Sequence, residues 1–301
     1  MTIDLNCLDL VLEEFKEKIF YIQSSSHFIK EILREASENS RTQYEKEKAW
    51  KVKIHSSDTH TMTCEDIFNG GKTKIRSKEF SIDEYSQIYE EIRNKQYQWL
   101  LVGAYEAYED YLKKLYSYIG YLDHDFWQAK DFGSISLNQI KNNDLSWFVN
   151  RLEKDRIKNT DDISKQIYKK IPMLKKILAI RKRDDPRKID YEFMIQLIAQ
   201  LRHIIVHNNG TTDKSEFIKE RLKEIGRNNN KSEDQNYIDI VNWYFGIKKM
   251  SNTVCLTEIH DPHRKFMRYD RLNDLVEVIA SYAMLMHNIA KMHLESKTNK
   301  D

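Results

Sequence analysis

The residues best suited to chemistry lie between Asp190 and Gly210, in the segment DYEFMIQLIAQLRHIIVHNNG. At 100° per residue, Gln196, Gln200, His203 and His207 fall within about 60° of one another, as one stripe of a helix. Phe193, Met194, Ile195, Leu197, Ile198, Leu201, Ile204, Ile205 and Val206 surround that stripe. A narrow polar stripe of amides and imidazoles, without Lys or Glu, fits a cleft wall better than a solvated face. Asn208-Asn209-Gly210 reads as a helix stop with Gly210 in the left-handed position. His207 then sits in the last turn, where the negative end of the helix dipole favours an imidazolium, and a histidine so placed can transfer protons near neutral pH. Arg202 borders the apolar surface, where an unpaired guanidinium is costly, and needs an acidic partner. Glu106, Glu109 or Asp110 are the candidates.

The elements that must hold these residues are helices. Of 301 residues, 8 are Gly and 3 are Pro, too few for a meander of short strands or a Gly-rich phosphate loop. The fold class expected is all-α, with at most a small hairpin. Leu5, Leu8, Leu12, Phe15, Ile19 and Ile22 make a heptad seam that resumes at Ile29, Leu33 and Ala36, predicting one long amino-terminal helical arm across Ser24-Ser25-Ser26. This arm either packs within the chain or contacts a second copy. Residues 52 to 80 lose the helical period, and Asn69-Gly70-Gly71-Lys72 marks the hairpin turn. Ser81 and Glu84 form a capping box opening a helix to about Gly120, rich in aromatic residues and carrying Glu106 and Glu109. Further helices fit 137–152, 164–181 (with Pro172 a candidate kink), 190–208, 213–226, 234–249 and 270–296. The pattern divides the chain into 1–80, an arm with an irregular segment, and 81–301, a helical domain.

Cys7, Cys64 and Cys255 are far apart and include no C-x-x-C, so neither a disulfide framework nor a cysteine zinc site is expected, and the compartment is read as reducing. No signal-like opening or run of about 18 apolar residues occurs, so the expected location is cytoplasmic, without a membrane partner. His203 and His207 have the i, i+4 spacing of metal ligands, and His260-Asp261-Pro262-His263 offers two more imidazoles. Ile204 stands where H-E-x-x-H requires Glu, however, and no metal or other cofactor is expected.

The run Arg202-His203-Ile204-Ile205-Val206-His207 resembles the signature of the HEPN superfamily of helical ribonucleases: Arg, a polar residue, a spacer, then His. Asn208-Asn209-Gly210 is also similar to bacterial members, and the helix carrying Glu106 and Glu109 resembles the one that packs against the motif helix there. The resemblance covers about residues 90 to 295. It implies a HEPN-like helical bundle and metal-independent RNA cleavage by attack of the 2′-hydroxyl, leaving a 2′,3′-cyclic phosphate and a 5′-hydroxyl. In that chemistry His207 is general base or acid, Arg202 binds the phosphoryl group, and His203 or Asn208 orients substrate or gives a second proton. Further implications are a homodimer with facing sites and the biology of a toxin or antiphage defence effector, held in check by an antitoxin or regulatory partner. HEPN toxins controlled by a nucleotidyltransferase carry Tyr two residues after the motif His. Asn209 stands there, so that form of control is not expected. The competing readings are an inactive helical interaction or RNA-binding module, or an internal ion pair of Arg202 beside two hydrogen-bonded core histidines.

A net charge of +2 hides a polarity. Residues 165–188 hold ten Lys and Arg against two Asp, a local excess of eight positive charges. Ending just before the motif helix, this run could follow an RNA backbone through Lys175, Lys176, Arg181, Lys182 and Arg183. With Tyr168 its one aromatic residue, no base-stacking platform is expected there.

Overall fold

The computed structural model describes residues 6–49, 59–66, 68, 70–79, 82–135, 139–140, 143–153, 159–184, 189–224, 231–247, 250–260 and 268–298. Helices dominate. In chain order the elements are α1 (Asn6–Ala49), β1 (Thr59–Glu65), β2 (Lys72–Glu79), α2 (Ile82–Leu122), α3 (Ala129–Phe132), α4 (Leu145–Glu153), α5 (Thr160–Lys170), α6 (Pro172–Asp184) and α7 (Tyr191–His207). There follow α8 (Lys214–Glu224), α9 (Lys231–Trp243), β3 (Ile259–His260), β4 (Arg268–Tyr269) and α10 (Arg271–Thr298). None of the described helices is long and apolar enough to cross a membrane.

The chain forms two compact units, residues 1–23 with 98–301 and residues 24–97. In the smaller unit β1 and β2 pair antiparallel from Thr59↔Glu79 to Glu65↔Lys72, with a register shift between Met62 and Thr63. Gly70 closes the turn at φ +66° and donates to the Asp66 carbonyl at 2.8 Å; Asn69, expected beside it, lies outside the described residues. The helical part of this unit is tied by Ser40 to Tyr89 (3.2 Å) and by the Tyr97 hydroxyl to the Ser26 carbonyl (3.4 Å).

α1 runs unbroken through the three serines, as its unchanged heptad frame indicates. Leu8, Leu12, Phe15 and Ile19 are buried within the larger unit, so the first half of the seam packs inside the chain. Leu5, at its start, lies outside the described residues, as does Ser81 of the expected capping box. The larger unit is centred on the second half of α2, where Leu101, Tyr108, Tyr111, Leu112, Leu115, Tyr116 and Ile119 are buried. α7 contributes Leu197, Ile198 and Leu201 to its core, and α10, which packs along α7, contributes Leu275, Ile279, Met286 and Ala290. Each such Leu, Ile or Met side chain contributes about 1.5–3 kcal/mol by leaving water.

Four details depart from the sequence reading: the helix expected at 137–152 begins at Leu145, the one expected at 234–249 runs from Lys231 to Trp243, and two further differences concern α5 with α6 and the strands. The helix expected at 164–181 is two, α5 and α6, because Ile171 leaves helical geometry (φ −118°, ψ 85°) ahead of Pro172, which then serves as the first residue of α6. A second ladder, Ile259↔Tyr269 and His260↔Arg268, adds to the one expected hairpin. Two residues per strand are too short to leave an alternating pattern.

Candidate functional site

The motif helix begins where Asp190 accepts a hydrogen bond from the Phe193 amide (3.1 Å) and from the Tyr237 hydroxyl (2.8 Å). Lys182 grips the same carboxylate at 2.6 Å. Burial works to push the Asp190 carboxyl up, but Lys182, the Phe193 amide and Tyr237 outweigh it and hold the group below its ordinary range. The cap therefore stays ionised at the positive end of the helix dipole.

The other end is fixed more tightly. Asn208 and Gly210 amides both reach back to the Ile204 carbonyl at 3.0 Å, with Asn209 at φ +53° and Gly210 at φ +76°. The Gly210 carbonyl accepts from the Val254 amide (2.8 Å), and the Asn208 carbonyl from the Thr211 amide (3.0 Å). Gln98, 1% exposed, donates to the Val254 carbonyl at 2.7 Å and packs so closely that a Cβ on Gly210 would lie 2.6 Å from its amide. Gly210 is thus required by both its φ and its neighbour. These bonds set where the last turn of α7 stops, and so where His207 stands.

Arg202, His203 and Gln200 line a cleft of about 410 Å³ with Tyr105 and Glu109 from α2 and Asn159, Thr160 and Asp161 from the start of α5. The Arg202 Nη2 lies 3.4 Å from Glu106 Oε1. Glu106 is thus the acidic partner among the three candidates, although the pair is long and Glu106 is 55% exposed. Such a pair contributes about 0–1 kcal/mol, so exchanging Glu106 for another anion costs little. Arg202 Nε is buried without a hydrogen-bond partner, an unmet donor of a kind seldom retained. Glu109 accepts from the Thr160 hydroxyl at 2.8 Å and faces the cleft.

His203 and His207 are both exposed and their ring centroids are 4.6 Å apart. Among the described residues neither makes a hydrogen bond or ion pair. Hydrogen-bonded core histidines, one of the alternatives, are not what these residues are. His207 lies beside the cleft through His203 rather than in its wall. Asn208 is exposed and caps the helix through its backbone.

The cleft continues in both directions. Sharing Asp161, Ala199 and Gln200, it opens into a space of about 600 Å³ lined also by Lys165, Tyr168, Glu192, Gln196 and Tyr282. Sharing Glu109, Asn159 and Thr160, it meets another of about 610 Å³ lined by Asp110, Lys113 and Lys114. Arg202 and His203 therefore sit midway along a groove.

The basic run is not the groove's wall. Of its described residues only Lys165 and Tyr168 line these spaces. Lys182 is committed to Asp190, and Arg183 pairs with Asp184 at 2.7 Å. Lys175 lies over the Tyr168 ring at 6.0 Å, while Lys176 and Arg181 are exposed and make no hydrogen bond or ion pair among the described residues, the Arg181 charge reaching Asp184 only at longer range. Residues 185–188 of the run lie outside the described residues. The sequence reading missed Asn159, Thr160 and Asp161 because it began this helix at 164. The signal was present: Asn159 accepts from the Asp162 amide at 2.8 Å, and Asn-Thr-Asp-Asp is an N-cap followed by acids in the first turn.

Among the described residues no three His, Cys, Asp or Glu side chains come together as a ligand set, and Asp261, Pro262 and His263 lie outside those residues. Comparison of the chain with protein-family models, with curated proteins and with solved structures finds no match.

Proposed function

We propose that this chain is a metal-independent endoribonuclease of the HEPN kind that acts in the cytoplasm as a toxin or antiphage effector. The observation that carries the reading is the placement of Arg202, His203 and His207. At the polar end of a buried helix, a guanidinium loosely held by Glu106 and the His203 imidazole stand midway along a groove, with the His207 imidazole adjoining beside it and neither ring partnered by an acid among the described residues. A groove open beyond the reacting group on both sides suits an internal position of a polymer.

The reaction needs three services. A neutral imidazole takes the proton from the 2′-hydroxyl as that oxygen attacks phosphorus. Arg202 turns its fork of donors from Glu106 to the phosphoryl oxygens, where negative charge grows. A protonated imidazole gives its proton to the departing 5′-oxygen. The products are a 2′,3′-cyclic phosphate and a 5′-hydroxyl. Attack and departure occur on opposite sides of phosphorus, whereas His203 and His207 lie side by side. One helix therefore supplies one side of the reaction, and a second copy of the chain facing the first supplies the other. The homodimer is part of the proposal for this reason, with an antitoxin or regulatory partner restraining it.

The test is incubation of purified protein with total RNA and with tRNA, with and without EDTA, alongside Arg202→Ala and His207→Ala. Expected is cleavage that persists in EDTA and disappears in both variants. Cleavage unchanged by either substitution would overturn the site assignment, and loss in EDTA would overturn metal independence. Salt-sensitive RNA binding without cleavage would instead favour an RNA-binding module.

A further inference from the structure

The wide end of the groove contains an unsatisfied acid. Glu192, in the first turn of α7, is half-buried in the wall of the space of about 600 Å³ and has no hydrogen-bond or ion-pair partner among the described residues. Lys182, the cation at that end of the helix, is held by Asp190 at 2.6 Å. Burial, and then the Asp190 charge, pushes the Glu192 carboxyl above its ordinary value, against the opposing pull of Lys182 and Lys175. A half-buried carboxylate without donors is costly to keep and is more often found at binding sites than elsewhere.

Its surroundings narrow what it would take. Asp161 lines the same space with Lys165, and of the other cations whose charge reaches Glu192, Lys182 is held by Asp190 and Lys175 lies over Tyr168, so a phosphate gains little there. A neutral group that offers donors fits better. Tyr168, which the sequence did not mark as a stacking platform and over which Lys175 lies at 6.0 Å, brings a half-buried ring beside Glu192 into the same wall, of the kind on which unpaired bases stack. Gln196 and Gln200 follow Glu192 at one and two turns, offering amides to the other edge of a base. Among the RNA bases, guanine presents two adjacent N–H donors on its Watson–Crick edge, which two carboxylate oxygens can accept together. Adenine and cytosine offer an amino group beside an acceptor, and uracil a single imino donor.

We propose that this end of the groove is a base-reading subsite for guanine, with Glu192 accepting from the base and Tyr168 stacking on it. The subsite rests on the reading of the groove as an RNA site. Eleven residues separate Glu192 from His203, about 16 Å along the helix, so the base read is not the one at the cut but a flanking nucleotide. Asp161, Ala199 and Gln200, shared by the two spaces, connect them. Specificity thereby becomes separable from catalysis, with one residue type at each end of a single helix.

The experiment titrates the full chain with guanosine, inosine, adenosine, cytidine and uridine, and repeats each titration with Glu192→Gln and Tyr168→Ala. Inosine is guanosine without the amino group, so it removes one of the two donors. Expected is binding of guanosine tighter than the rest by about tenfold or more, as for one bidentate contact. Glu192→Gln, nearly identical in shape, should erase the gap between guanosine and inosine, and Tyr168→Ala should weaken every nucleoside that binds. Equal binding of guanosine and inosine, a gap untouched by Glu192→Gln, or no nucleoside binding at all would each overturn the proposal. Guanosine binding in a chain that cuts no RNA would leave the subsite standing and sink the nuclease reading. Cleavage without any flanking guanine preference would do the reverse.

Discussion

Two pairs of histidines occupy the same unit and live in different surroundings. In α10, His287 is 3% exposed and meets Asp9 at 2.9 Å, and Lys291, one turn on, reaches the same carboxylate at 2.9 Å. Six residues later the pattern repeats: His293 meets Asp123 at 3.1 Å and Lys297 joins it at 2.9 Å. These are staples, each imidazole and ammonium closing on one acid. His203 and His207 have exposed rings, each other for company, and no ion pair with an acid among the described residues. Each of the structural pair is held to an acid through Nε2, although the His287 Nδ1 is buried without a hydrogen-bond partner, whereas a histidine used for proton transfer must keep at least one nitrogen open to substrate.

The largest effect should come from exchanging members of the two pairs. His207→Ala is expected to lower RNA cleavage by about 10²–10⁴-fold while shifting unfolding in urea by no more than about 0.5 kcal/mol. His287→Ala is expected to lose about 1–3 kcal/mol of stability, with cleavage per folded molecule retained. Equal loss of activity in both, at equal folded fraction, would break the comparison. Gly210→Ala should follow, destabilising by about 2–4 kcal/mol in the same urea assay, since the new Cβ meets both a left-handed φ and the Gln98 amide.

Acid should separate the pairs next. Burial holds the His287 imidazole below its ordinary value of 6.5, against the opposing pull of Asp9 and with the help of Lys291 and Lys16. The unfolded chain then takes the proton more readily, so this contribution is present above about pH 6.5 and lost as the pH falls below it. Burial alone would raise the Asp123 carboxyl, but hydrogen bonds from His293 and Lys297 win and lower it from 3.8, as Lys291 chiefly does for Asp9. Those contributions are present above about pH 4 and are lost below it. Thermal midpoints against pH should show both declines, and His287→Gln should flatten the upper one. The smallest effect concerns the basic run: because it does not line the groove, Lys176→Ala and Arg181→Ala are each expected to reduce the salt slope of RNA binding by clearly less than the value of about one for a phosphate contact, and Arg183→Ala, already paired with Asp184, by least.

The long helices were legible because their apolar spacing is regular over many turns, and Gly210 was legible because a left-handed stop after Asn-Asn is a local signal. Glu106 as the partner of Arg202 was readable only to within three acids of one helix face, since the choice depends on how α2 and α7 cross. The groove was not legible. Its far wall comes from the first turn of α5, which three consecutive polar residues disguised as loop. Glu192 looked like an ordinary acid in a helix's first turn; only the commitment of Lys182 to Asp190 and the packing around Tyr168 leave it without a partner. The basic run stood out in composition, yet its side chains mostly face elsewhere, because Ile171 and Pro172 break it into two helices.

The most direct measurement uses an RNA oligonucleotide containing a mapped cleavage position, paired with the same oligonucleotide carrying a 2′-deoxy sugar at that position alone, both in EDTA. If Arg202, His203 and His207 drive attack by the 2′-hydroxyl, the all-ribose strand yields a 2′,3′-cyclic phosphate and a 5′-hydroxyl while the substituted strand stays whole at that position. Cutting of the deoxy-substituted bond, or products ending in a 5′-phosphate, would contradict the proposed chemistry.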